Sequence, residues 1–271
     1  MAQLMLNAST LLEPFEFEKI VDNNNRLRWM QNCWHHSIYW SILYVTVIFS
    51  LQRFMKNRPA LELKTPLIVW NTLLALFSIG GTLRMTPGLI HIISEFGFTF
   101  SVCNSEYGRN IQPTVFWGWL FAVSKVLEFG DTLFIVLRKR KLIFLHWYHH
   151  VMTLIMCWYT LGNLVAVTYW FCVMNYFVHS FMYTYYTLSA LDIKIPRNIA
   201  MSITSMQLLQ MIAGSFVCYW AIHTKLQGHA CEFPDNAVKV ALSVYLTYVL
   251  LFSRLFYNSY IAKSSKKLKK K

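Results

Sequence analysis

Three histidines within five residues, His146-Trp147-Tyr148-His149-His150, are the strongest chemical signal in the sequence. On a helix, offsets of three and four put all three imidazoles on one face. Two chemistries compete for that pattern. Imidazoles bind metals, and a neutral imidazole is also a nucleophile that attacks an activated acyl group to give an acyl-imidazole. Three further stripes carry polar groups at helical spacing. Lys125, Glu128 and Asp131 recur every three residues. Asn175, His179, Met182, Tyr183 and Tyr186 trace one face, and Thr204, Gln207 and Gln210 another. The plain readings are a buried ion pair, aromatic packing and helix-to-helix amide bonding. The functional reading is one cavity with polar walls.

The metal reading has limited ligands. HxxHH spacing also occurs in membrane di-iron desaturases and hydroxylases, which carry several such boxes, whereas one is present here. His35, His36 and His91 fall near the opposite end of their segments, so only His146, His149, His150 and His179 could meet. Four imidazoles could still hold one zinc ion. The nucleophilic route needs no metal and no bound cofactor.

These residues sit in elements that water does not explain. Of the 271 residues 56% are hydrophobic and 14% charged, against about 25% charged in soluble domains. Low glycine and proline counts favour helices over a barrel of strands. Seven apolar runs are long enough to be spans, at residues 34–51, 66–93, 114–137, 142–161, 165–191, 198–223 and 237–261. An ionisable group at bilayer depth costs about 2.5–3.5 kcal/mol, so those within the runs must face protein or a wet cavity. The expected class is therefore an all-α polytopic membrane protein. A lumenal segment over 1–33 precedes a seven-helix domain over 34–261 and a basic tail over 262–271. Segment 1–33 lacks the pattern of a cleavable signal peptide.

The net charge of +13 reads as topology rather than nucleic-acid binding. Sixteen Lys and Arg fall in one set of loops and the tail, against five on the other side. That bias puts the C-terminus in the cytosol and the N-terminus in the lumen. Asn7-Ala8-Ser9 is a glycosylation acceptor usable only in the lumen. Cys103 and Cys231 both fall in loops on that oxidising side, as a bridge or as two free thiols. Basic cytosolic loops and an apolar membrane site suit an acyl chain on an anionic carrier such as coenzyme A.

Taken together, the motifs resemble the ELO family of very-long-chain fatty acid elongases. The resemblance rests on Lys125-Val-Leu-Glu128-Phe-Gly-Asp131-Thr132, the 146–150 box, the run Asn175 to Tyr186, and Thr204-Ser-Met-Gln207-Leu-Leu-Gln210, in that order. The run Lys141 to Tyr148, with Trp147 after the first histidine, resembles the subgroup acting on saturated and monounsaturated chains. The resemblance implies seven helices in the endoplasmic reticulum membrane, six forming a barrel around an acyl tunnel. It implies condensation of acyl-CoA with malonyl-CoA to a 3-oxoacyl-CoA two carbons longer, with loss of carbon dioxide and coenzyme A. A ping-pong route through an acyl-imidazole then assigns the nucleophile to His149 and its partner role to His179. His146 and His150 orient and handle protons, and Asn175 and Gln207 are candidates for the oxyanion. Lys125, Glu128, Asp131, Asn175, Met182, Tyr183, Tyr186, Gln207 and Gln210 would line the substrate site. The resemblance favours a Cys103–Cys231 bridge and reads the tail around Lys267 and Lys269 as a retrieval signal. Expected partners are the two coenzyme A esters, membrane lipid, the reductases and dehydratase of an elongation cycle, and a second copy of the chain. Nucleic acid is not among them. A metal oxidoreductase and a seven-helix receptor are the rival classes.

Overall fold

A computed structural model describes residues 13–20, 22–106 and 111–262. Among these residues the regular structure is all helical. A short α1 (Glu16–Lys19) and α2 (Asn23–Cys33) lead into α3 (His36–Phe54) and a long α4 (Lys64–Cys103). Then come α5 (Gln112–Leu127), α6 (Gly130–Leu137), α7 (Phe144–Gly162), α8 (Thr168–Ala190), α9 (Arg197–Leu226) and α10 (Asp235–Phe256), which ends in a π turn over Tyr257–Ile261. Asn7, Lys267 and Lys269 lie outside the described residues.

Each of the seven apolar runs falls on helix. Four helical stretches, His36–Met55, Lys64–Cys103, Arg197–Leu226 and Asn236–Ile261, are long and apolar enough to cross a membrane. Their outer faces are apolar: Ile42 is 61% exposed, Leu83 67% and Leu250 72%. Water would penalise such surfaces, whereas lipid accepts them. The chain is a multi-pass membrane protein. The remaining runs, on α5–α6, α7 and α8, carry the histidine box and two of the polar stripes, and the Thr204–Gln210 stripe lies on α9.

The structure departs from the sequence reading at two helix ends. The run expected to stop at residue 93 is followed by a kink at Gly97, whose φ of +83° and ψ of 168° leave helical geometry, and a second helical piece then reaches Cys103. Cys103 is therefore the last residue of a helix rather than part of a loop. The run 114–137 is broken at Glu128–Phe129. There Phe129 N–H donates to Val126 O at 3.2 Å and Asp131 N–H to Glu128 O at 3.1 Å, a tightened turn that redirects the chain.

Helix α8 packs along α4, and α9 pairs with α10. The Cys103–Cys231 disulfide forms, with Cα atoms 4.3 Å apart, and ties the end of α4 to the segment before α10. Glu232 reinforces it: its N–H donates to Cys103 O at 2.8 Å, and its carboxylate accepts from Ser105 N–H and Oγ–H. The N-terminal segment folds into this same end of the bundle. Glu18 is fully buried there. Its carboxylate accepts from Arg84 Nε at 2.9 Å and Nη2 at 2.7 Å, from Trp117 Nε1 at 2.7 Å and from Phe15 N–H at 2.8 Å. Burial alone would raise its pKa. The Arg84, Trp117 and backbone hydrogen bonds outweigh burial and hold it below the ordinary value of 4.5.

Candidate active site

The polar stripes converge on one cavity of about 690 Å³, which opens toward the end of the bundle that carries Arg138, Arg140 and Asp192. It is lined by His146, His149, His150, Glu128, Asp131, Asn175, His179, Met182, Tyr183, Tyr186, Gln207 and Gln210. Of the substrate-site residues read from the sequence, only Lys125 stands behind the wall.

Lys125 is 3% exposed and acts through its neighbours. Its ammonium donates to Glu128 Oε1 at 2.6 Å and to Asn175 Oδ1 at 2.9 Å, and sits 4.1 Å from the Phe121 ring centroid. That contact fixes the Asn175 amide, because its oxygen must face the ammonium. The amide nitrogen then donates to His179 Nε2, 3.1 Å away. With Nε2 accepting, a neutral His179 carries its proton on Nδ1, which faces Glu128 Oε2 at 4.0 Å. The broken helix serves this arrangement by placing Glu128 at its turn. The result is a ring of four side chains joined by three hydrogen bonds, Glu128 to Lys125, Lys125 to Asn175 and Asn175 to His179, with a 4.0 Å approach between His179 and Glu128 on the fourth side.

The histidine box divides by function. His146 Nε2 is 3.0 Å from Thr132 Oγ1, which in turn lies 2.7 Å from Tyr44 OH. His150 lies between His146 and the Tyr44 and Phe129 rings. Tyr148 bonds Thr247, and Trp147 packs on Phe49 and Phe144, so neither lines the cavity. Among the described residues neither the His150 ring nor the His149 ring makes a hydrogen bond, and of the two only His149 reaches beyond the large cavity. It packs obliquely on Tyr248 at 5.0 Å and lines both the large cavity and the smaller one beneath it.

Asp131 is a clamp. Its two oxygens accept from Trp70 Nε1 at 2.6 Å and Tyr183 OH at 2.8 Å, holding α6 to α4 and α8. Gln207 Nε2 has only the Met182 sulfur, at 3.1 Å, a weak acceptor. Thr204 is bound to Ala200 O and Tyr260 OH and supports the wall. Sequence reasoning did not single out Tyr44 or Tyr248, and it quoted Thr132 only as the end of the 125–132 motif, with no role. Contact across elements gives Tyr44 and Thr132 their part. Among the described residues, no group of three or more His, Cys, Asp or Glu is arranged to hold a metal ion.

The chain matches the model of the ELO (GNS1/SUR4) family over residues 29–268, and it belongs to that family. It is 44% identical to very long chain fatty acid elongase 6 of Drosophila melanogaster over 266 residues, which is 95% of this chain and 84% of that protein. It is 40% identical to very long chain fatty acid elongase 6 of Homo sapiens over 97% of this chain and 99% of that one. Putative fatty acid elongase 3 of Caenorhabditis elegans is 43% identical over 92% and 78% respectively.

Proposed function

We propose that this protein is the condensing enzyme of a fatty acid elongation cycle. It joins a long-chain acyl-CoA to malonyl-CoA and releases the 3-oxoacyl-CoA, carbon dioxide and coenzyme A. Family membership and relatives named as elongases over nearly the whole chain support this reading. The run Lys141 to Tyr148, with Trp147 after the first histidine, supports saturated and monounsaturated chains as the acyl substrates.

One observation carries the mechanism: His149 is the one box histidine that lines both the wide cavity and the narrow one. A ring nitrogen of His149 attacks the thioester carbonyl. The C–S bond breaks, coenzyme A leaves as the thiolate and takes up a proton, and the acyl-imidazole remains. Malonyl-CoA then enters the vacated mouth. Loss of carbon dioxide leaves its α-carbon with the electron pair, which attacks the acyl carbonyl and expels the imidazole. Gln207 Nε2 is the donor best placed for the oxyanion, since its present partner is only a thioether. The Lys125–Asn175–His179–Glu128 ring positions His179 across the cavity. Arg138 and Arg140 at the mouth suit the phosphates of coenzyme A.

The same reading makes the chain a seven-span protein of the endoplasmic reticulum, organised as a lumenal segment, a membrane domain and a cytosolic tail. The basic mouth faces the cytosol and the disulfide end faces the lumen. Incubating purified protein with acyl-CoA alone and measuring its intact mass tests the mechanism. We expect one acyl adduct, released on addition of malonyl-CoA and absent in His149→Ala. An adduct mapped instead to Cys157 or Cys172 refutes the histidine nucleophile.

A further inference from the structure

Below the wide cavity the bundle contains two more spaces in series. The first is small and is lined by His149, Thr153, Cys157, Thr160, Thr168 and Tyr248 among others. The second, of about 90 Å³, lies at the disulfide end and is lined largely by apolar groups such as Met85, Ile92, Leu161 and Cys172. Thr160 and Thr168 border both, so they form the waist between them. Helix rise puts Thr160 about 16 Å beyond His149 along α7. Thr168 Oγ1 is buried at this waist without a hydrogen-bond partner.

The far wall of the last space is not a spanning helix. Arg26, Leu27 and Met30 of α2 supply it. Met30 is 2% exposed and sits in the core with Trp158 and Cys172. Helix α2 approaches the end of α7 so closely that a Cβ on Gly162 would lie 3.0 Å from both Met30 O and Trp34 Cβ. Upstream, the buried Glu18 carboxylate latches the segment onto Arg84 of α4 and Trp117 of α5. The polar stretch over residues 13–20 and 22–33 is thus folded inward, anchored by a charge, and offers Leu27 and Met30 to a hydrocarbon-lined space.

We infer that α2 is the stopper of the acyl site: Met30 and Leu27 receive the methyl end of the chain, and the Glu18 latch fixes how deep the site runs. The inference rests on the proposed condensing activity, since the acyl carbon must sit at His149 for depth to matter. Glu18 is a positioning residue and touches no substrate. Length selection by a wall of this kind is steep, because each methylene that does not fit is worth about tenfold or more.

The test measures kcat/KM of full-length protein on a series of saturated acyl-CoA substrates of increasing length, with labelled malonyl-CoA. Met30→Trp thickens the stopper and should lower the ratio of longest to shortest accepted chain by about tenfold or more. Met30→Ala deepens the site and should raise that ratio, moving the optimum to longer chains. Glu18→Gln keeps the shape and loses the charge. It should move the ratio in the same direction as Met30→Ala, and Glu18→Asp should partly restore it. If Met30→Trp misfolds, Met30→Ala and Thr168→Leu at the waist still push the optimum in opposite directions. A length profile unchanged in all these variants overturns the stopper, and so does a loss of activity equal at every length. Failure of the unaltered protein to condense any acyl-CoA overturns the proposed function instead.

Discussion

The two ends of the bundle solve opposite problems. The end with the basic loops holds a wide cavity of about 690 Å³ whose polar groups are bound to one another in a ring. The disulfide end holds about 90 Å³, walled by apolar side chains and closed by Glu18, Glu232 and the Cys103–Cys231 bridge. Polar groups gather where a water-soluble carrier must be held and a bond made. Covalent and ionic ties gather where the molecule must not open. The difference separates chemistry from containment, and each can be attacked alone.

The largest effect belongs to the wide end. His149→Ala should lower kcat by about 10⁴-fold or more while the melting profile in detergent stays as in the parent. A fall in thermal stability of similar rank to the loss of activity would erase the distinction between the ends. Next is the ring itself. Lys125→Met leaves Glu128 buried without its cation and should cost about 3–5 kcal/mol, read as a lower midpoint in a thermal size-exclusion assay. At the narrow end, Cys103→Ser should cost about 2–4 kcal/mol, as a 128-residue loop loses its closure, with catalysis per folded molecule retained.

The smallest effect is a pH effect. The Glu18 carboxylate has its pKa lowered by folding, so it adds stability above its ordinary value of 4.5. That contribution is lost as the pH falls below 4.5 toward the lowered value. The parent should therefore lose more stability than Glu18→Gln when melting is compared at pH 7 and well below pH 4. Equal losses would show that the latch is not ionic.

Much of this architecture was legible in the sequence. Apolar runs located every long helix because lipid demands an unbroken apolar surface and a self-satisfied backbone. The box and the three stripes were visible because polar residues at helical spacing are conspicuous inside such runs. What stayed hidden depends on contact between distant segments. Glu18 lies in a polar stretch where a glutamate is unremarkable, and only Arg84 and Trp117 reveal it as a latch. The Glu128–Phe129 break leaves no proline or strong stop signal, and beyond the Gly97 kink a further helical piece forms where the apolar pattern has ended. Spacing alone put three histidines on one face, but it took Tyr44 and Thr132 to claim His146, and the narrow cavity to set His149 apart from His150.

The ring of Lys125, Asn175, His179 and Glu128 has a genetic consequence. Each member owes its orientation to the next, so substituting any one releases the others. Double substitutions within the ring should be scarcely worse than single ones, while each combined with a distant change such as Cys103→Ser should be worse by the sum. In a library of paired variants the four positions would behave as a single heritable unit, strongly epistatic within and additive without. A lineage changing one of them would gain little by repairing another, and such a ring can be replaced only as a whole.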